Sequence, residues 1–497
     1  MEAVIATAAY GSAYLAAAAG TNALSGMLLL CAALLLYVLY QRRSGMILDP
    51  AALFSLAWLG GCGLSALKLS RLQTAWLPRT WLCFYLIFMG FSLGAALCGR
   101  LLRAGAGKRK RGNVKNADGA TEKQRTLSGK AGEGEGTGAL VSLRLRRAAY
   151  GLTAASLLAF LLEALLLGYV PLFTVNTPHA YSYFHISGVH YVTVSCVLVP
   201  SLVWLALTAE KAAGGRAEER KTGEGEIGGG GTKAGLEWMR RRAGLCLCFG
   251  LGFLIPLLCV SRFQLIFAAA LLVFTILLQS NPEPRYFLQR KRLLFLLGAA
   301  VLLLLAYLFL SVARAHSVAY LNGIFEMRNP DTPIWFTQPY MYVANNFDNF
   351  NCLVRDLPEH TYGLRMLFPL FALTGLKFLA PSLVSFPLYV TKTELTTVTL
   401  FYDAYYDFGV TGVFLFAFLL GGCMALLVWF LQRLYRERQE ERRVNPILFL
   451  IAAQLCFYCL FAFFTTWYSN PSTWFYLAVS LALYCYAGRR RKSCCTI

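Results

Sequence analysis

FGVTGVFLFAFLLGGCMALLVWFL, Phe408 to Leu431, runs the length of a bilayer without one charged side chain. About 20 apolar residues are enough to cross the hydrocarbon core as a helix. Lipid offers no partner to open backbone groups, so such a run must be helical. Runs of the same kind recur throughout the chain. Of its 497 residues 57% are hydrophobic and 14% charged, against about 25% charged in a soluble domain. The sequence predicts an all-α polytopic membrane protein.

Eleven spans are expected, at 22–40, 50–67, 80–99, 148–167, 187–208, 243–260, 264–279, 293–311, 408–431, 446–466 and 472–488. Residues 3–20 would make a twelfth; Ala and Gly dominate there and the stretch is left out. The N-terminus has no basic region of the kind that opens a cleavable signal peptide.

Basic residues orient the spans, because Lys and Arg gather in cytoplasmic loops. Alternate loops hold 36 of the 46 Lys and Arg residues. They are Arg42–Arg43, 100–147, 209–242, 280–292, 432–445 and the tail 489–497. The remaining ten, among them Lys68, Arg79, Arg262, Arg314, Arg355 and Arg365, fall on the opposite side. The net charge of +21 is therefore a topology signal, and no nucleic-acid partner is expected.

This divides the chain into N-terminal spans (1–99), a basic linker (100–147), a span pair with an external loop (148–208), a Gly-rich linker (209–242), further spans (243–311), a large external loop (312–407), C-terminal spans (408–488) and a basic tail (489–497). Gly105–Leu140 and Ala212–Gly235 are Gly-rich, charged and free of strand-forming aromatics, the composition of disordered connectors. Most of the 15 cysteines lie in apolar spans as small hydrophobes. His179, His185, His190, His316 and His360 show no metal-ligand spacing, and no carboxylate or thiol accompanies His185 and His190. No metal and no cofactor is expected. Cys494-Cys495-Thr496-Ile497 has the outline of a prenylation box, which would add little to a chain anchored by many helices.

Chemistry is expected on the external side. Arg262 stands at the tip of a tight corner, LIPLLCVSRFQLIF. It reads either as an Arg reaching the headgroups or as an anion binder. Arg314 follows the eighth span in FLSVARAHSVAY, at the depth of a lipid diphosphate, and Arg offers a planar fork of donors to phosphate oxygens. The loop continues PYMYVANNFDNFNCLVRDLPEHTYGLRMLFPLF. Aromatic faces stack on sugar rings while amides and carboxylates bond hydroxyls. That nominates Tyr340, Asn346, Asp348, Arg355, Glu359 and Arg365 for substrate, against the alternative of interfacial helices. Leu367–Leu379 is apolar but too short to span, so it reads as interfacial or re-entrant. Asp403 and Asp407 share a helical face, flanked by Tyr402 and Tyr406, and Asp407 is also placed to cap the next span. Glu163 is an acid inside the fourth span, a position that reads as functional or as a protonated structural group.

LDPAALFSLAW (48–58), PYMYVANNFDNFNCL (339–353) and ELTTVTLFYDAYYDFGVTGVFLFAFLLG (394–421) resemble the bacterial O-antigen polymerase-like family, the Wzy-type oligosaccharide repeat unit polymerases. The strongest piece is the Thr-rich segment followed by Tyr405-Tyr406-Asp407-Phe408-Gly409 and Gly412. Arg262 and Arg314 fit the family's arrangement, and the likeness covers roughly 400 residues, the linkers excepted. It implies a GT-C-like, metal-independent glycosyltransferase in the cytoplasmic membrane of a bacterium, with its site on the outer face. Its substrates would be polyprenyl-diphosphate-linked oligosaccharides, its product O-antigen, capsule or exopolysaccharide, and its partners a flippase and a chain-length regulator. The diphosphate would meet Arg262, Arg314 and Arg365; the acceptor hydroxyl would meet His360, Glu359, Asp403 or Asp407. Two alternatives stand beside it. A ligase-type transferase has a similar loop and could use His360 or His316 as base. A flippase or transporter would show inverted repeats and mid-membrane charges, and no repeat is visible.

Overall fold

The computed structural model describes residues 1–46, 48–117, 135–174, 180–224, 232–280, 318–383, 385–439 and 444–488. The expected span 293–311, Arg314, His316, His179 and the tail 489–497 lie outside these. The structure is 78% helix and has no strand among the described residues.

Among the described residues six helices are long and apolar enough to cross a membrane: Asn22–Ser44, Pro78–Ala104, Ala139–Leu167, Val189–Lys211, Arg262–Ser280 and Tyr402–Glu437. Pro50–Ala66, Arg242–Leu258 and Ile447–Leu460 are apolar but shorter. The membrane class therefore stands, while the number eleven does not follow from the helices described. The stretch set aside at the N-terminus forms a helix, α1 (Glu2–Ala18), with Ala6, Tyr10 and Ala13 buried. Its small residues weakened the apolar signal, yet small residues are what let helices pack closely in a membrane.

The helices α2 (Asn22–Ser44), α3 (Pro50–Ala66) and α4 (Pro78–Ala117) follow. Asp49 caps α3 by accepting the amides of Ala51 and Ala52 at 2.9 Å, as an N-cap acid should. Next come α5 (Glu135–Leu167), α6 (Ala180–Tyr183), α7 (Val189–Val194), α8 (Val199–Glu224), α9 (Thr232–Leu258) and α10 (Arg262–Ser280). A short 3-10 turn, Ser195–Leu198, joins α7 to α8 within one span. Helix thus continues some way into both Gly-rich linkers, since extending an existing helix costs far less than nucleating one.

The stretch 312–407, expected as an external loop, is mostly helical where described. It contains α11 (Val318–Phe325), α12 (Ile334–Asp356), α13 (Phe368–Leu373) and α14 (Leu376–Leu379). Then come α15 (Tyr402–Gln439), α16 (Ile447–Leu460) and α17 (Pro471–Gly488). α12 packs on α3 and drives Phe347 and Phe350 into an aromatic core with Trp58, Phe84 and Phe401. α4 and α15 lie along one another at near-contact of their backbones. A Cβ on Gly94 would stand 1.9 Å from the Phe418 carbonyl oxygen, and one on Gly421 would stand 2.0 Å from that of Phe91. Only glycine fits such a crossing.

Candidate functional site

α15 breaks at its eighth residue. Gly409 takes φ 62° and ψ −146° inside it, a conformation open to glycine at little cost. The break frees carbonyls of the preceding turn, and the segment from His360 to Met366 fills them. The Tyr406 carbonyl accepts from Thr361 N at 3.4 Å and the Asp407 carbonyl from Tyr362 N at 3.1 Å. His360 Nδ1 lies 3.1 Å from the Tyr406 oxygen. A carbonyl only accepts, so Nδ1 carries the ring hydrogen. A Cβ at position 409 would stand 2.8 Å from His360 Nε2, so that edge of the ring rests on the break.

Asp403 and Asp407 do share a face, and both address this segment. The Asp407 carboxylate, fully buried, accepts from the Thr361 hydroxyl, Arg365 N at 3.2 Å and Met366 N at 2.8 Å. Its partners therefore lie in the turn before α13, and it makes no capping bond to its own helix. Asp403 accepts from Arg365 Nε. The guanidinium carbon sits 4.5 Å from the Tyr406 ring centroid and 5.2 Å from that of Tyr402. Burial lowers the Arg365 pKa, Asp403 more than restores it, and the net shift is upward: the side chain is charged and 14% exposed. Tyr402 completes the wall by donating to the Tyr389 carbonyl at 3.1 Å and accepting its amide at 2.8 Å.

Arg262 opens α10 at the predicted corner. It is buried, donates from Nη2 to the Tyr342 hydroxyl at 2.9 Å and lies 5.6 Å from that ring. Tyr342 was not singled out in the sequence; its place one turn before Asn346 was the available signal. Val260 in the corner takes φ 53°, an outlying conformation for a β-branched residue.

The other nominated residues are placed differently. Asp348 is buried on four donors: Lys68, Ser65 at 2.9 Å, Gln73 at 2.7 Å and Trp76 at 2.8 Å. Asn346 donates to the Tyr342 and Phe463 carbonyls, both at 2.7 Å, and accepts from Thr397 at 2.6 Å. Tyr340 donates to Gln73 at 2.7 Å and accepts from Leu69 N at 3.1 Å. All three spend their polar groups inside the protein, as buried polar groups must. Arg355 is exposed on Asp356 at 2.7 Å, which raises its pKa and lowers that of Asp356. Glu359 is exposed. Glu163 is fully buried beneath residues 186–193. The structure thus gathers His360, Arg365, Tyr402, Asp403, Tyr406 and Asp407 and leaves Tyr340, Asn346 and Asp348 as the ties of α12 to its neighbours. No group of three or more His, Cys, Asp or Glu able to hold a metal occurs among the described residues.

No family model matches this chain, and neither does any curated protein or solved structure.

Proposed function

We propose that this protein is a membrane glycosyltransferase that joins polyprenyl-diphosphate-linked oligosaccharide units into a polymer at the extracytoplasmic face. One observation carries the reading. A charged Arg365 is spread over two tyrosine rings on Asp403, at the point where the uncharged run 408–431 begins. On this reading the lipid diphosphate sits at that edge, with its sugars outward and its chain in hydrocarbon.

Two further features support it. Leu364, Leu367, Leu370, Leu373, Leu376 and Leu379 recur every third residue and are all exposed, an apolar edge leading away from Arg365 on which a polyprenyl chain can lie. Arg262 adds a second guanidinium at a helix start, oriented by Tyr342. In the reaction a sugar hydroxyl of one unit attacks the anomeric carbon of the other. The bond from that carbon to the diphosphate breaks, and the arginines stabilise the charge that develops on the leaving group.

The test is the lipid-linked glycan profile of cells lacking the protein, complemented with wild type, Arg262→Ala or Arg365→Ala. Single units accumulating on the lipid in the deletion and both variants, with a ladder only for wild type, support the reading. An unchanged ladder in the deletion strain overturns it. A ladder that stays on its lipid and never reaches a final acceptor points to a ligase-type transferase.

A further inference from the structure

His185 and His190 lack a carboxylate in their own stretch of sequence, and the fold supplies one from α5. Glu163 is fully buried and accepts from Ile186 N at 2.9 Å and the Thr193 hydroxyl at 2.7 Å. His190 Nδ1 stands 3.2 Å from both of its carboxylate oxygens. With a carboxylate on that side, Nδ1 carries the hydrogen and the neutral ring presents its lone pair at Nε2. The His190 side chain is 27% exposed while Glu163 is 0% exposed. This is the arrangement of an oriented base: a buried carboxylate fixes the tautomer, and the opposite nitrogen meets what arrives from outside.

The pair also lies beside the Arg262 corner. Leu172 and Tyr181, from the segment that leads to His190, pack on Val260 and Leu265 either side of Arg262. Three of the other candidate bases are engaged elsewhere, while Glu359 is exposed and His316 lies outside the described residues. Asp403 holds Arg365, Asp407 holds three donors, and His360 Nε2 rests against Gly409.

We infer that His190, oriented by Glu163, accepts the proton of the attacking sugar hydroxyl. The inference rests on the glycosyltransferase reading above. The hydroxyl proton passes to Nε2 and the oxygen forms its bond to the anomeric carbon. The diphosphate leaves with the electron pair of the broken carbon–oxygen bond, beside Arg262, and the imidazolium returns its proton to water. His185, whose ring centroid is 6.4 Å from that of His190, is the titratable neighbour on the same segment.

The experiment uses the purified full chain in lipid nanodiscs with lipid-linked repeat units and compares wild type, His190→Ala, Glu163→Gln and His360→Ala. General-base loss lowers turnover by about 100-fold or more. His190→Ala is expected to show that loss with KM and melting temperature little changed, and added imidazole is expected to restore part of the rate. Glu163→Gln is expected to fall between wild type and His190→Ala. Wild-type turnover by His190→Ala, or a loss that imidazole does not restore, overturns the assignment. If Arg262→Ala is then still inactive, the transferase reading stands without this base. An imidazole-rescued loss in His360→Ala alone moves the base to His360. A wild-type protein that forms no glycan from these substrates overturns both readings.

Discussion

The Asp407 carboxylate accepts the backbone amide of Met366, 41 residues earlier in the chain, at 2.8 Å. An acid near the start of an apolar helix thereby holds the turn that carries Arg365. Hydrogen bonds to a charged group contribute roughly 1.5–3 kcal/mol. Asp407→Asn keeps the shape but turns one acceptor into a donor facing other donors. We expect a loss of about 2 kcal/mol, read as a lower melting temperature in detergent, with faster proteolysis between residues 360 and 367. Equal melting of variant and wild type would show that the turn stands without Asp407.

Gly409→Ala tests the helix break itself. The backbone there has φ 62° and ψ −146°, a region close to glycine-only that costs other residues about 1–3 kcal/mol, and the new methyl would meet His360 Nε2 at 2.8 Å. The variant is expected to melt lower and to free the His360 ring, visible as a changed imidazole signal by NMR of isotope-labelled histidine. Gly99→Ala is the control, since nothing lies within 4 Å of its added Cβ; it should leave melting unchanged or raise it slightly.

These residues show what a linear reading reaches. The run 408–431, the corner at Arg262 and the common face of Asp403 and Asp407 were legible, because each depends on neighbours within a few residues. The roles of Asn346, Asp348 and Tyr340 were not. Their polar groups looked like sugar contacts, yet Asn346 is satisfied by Phe463 and Thr397, and Asp348 by Lys68, Ser65, Gln73 and Trp76. Nothing in the local pattern distinguishes an amide awaiting a ligand from one awaiting a distant carbonyl. Glu163 and His190 hid their relation the same way, 27 residues apart. The break at Gly409 was quoted as a motif without its cause, since positive φ is not written in the letter G.

The Lys68–Asp348 pair offers a double-mutant cycle. Both side chains are nearly inaccessible, at 6% and 2% exposure. Breaking one side of a buried pair typically costs about 3–5 kcal/mol, because a charge is left uncompensated. Asp348 keeps three other donors, so Lys68→Met should fall near the lower end, about 3 kcal/mol. Lys68→Met with Asp348→Asn should cost less than the sum of the singles by about 1–3 kcal/mol. Strict additivity in unfolding measurements would show that the two residues do not act as a pair.

Tyr342→Phe separates the orientation of Arg262 from its presence. The substitution keeps the ring against Phe464 and removes the hydroxyl to which Arg262 Nη2 donates at 2.9 Å. A hydrogen bond from a charged donor is worth roughly 1.5–3 kcal/mol, or about 10- to 100-fold in an equilibrium or rate. If Arg262 serves the leaving diphosphate, the variant should lose about tenfold or more in kcat/KM for lipid-linked donor, with melting lowered only slightly. Arg262→Lys should be worse, because an ammonium cannot reproduce the fork of donors. Full activity in Tyr342→Phe beside an inactive Arg262→Ala would mean that the arginine finds its substrate without that hydroxyl. Full activity in both would remove Arg262 from the site.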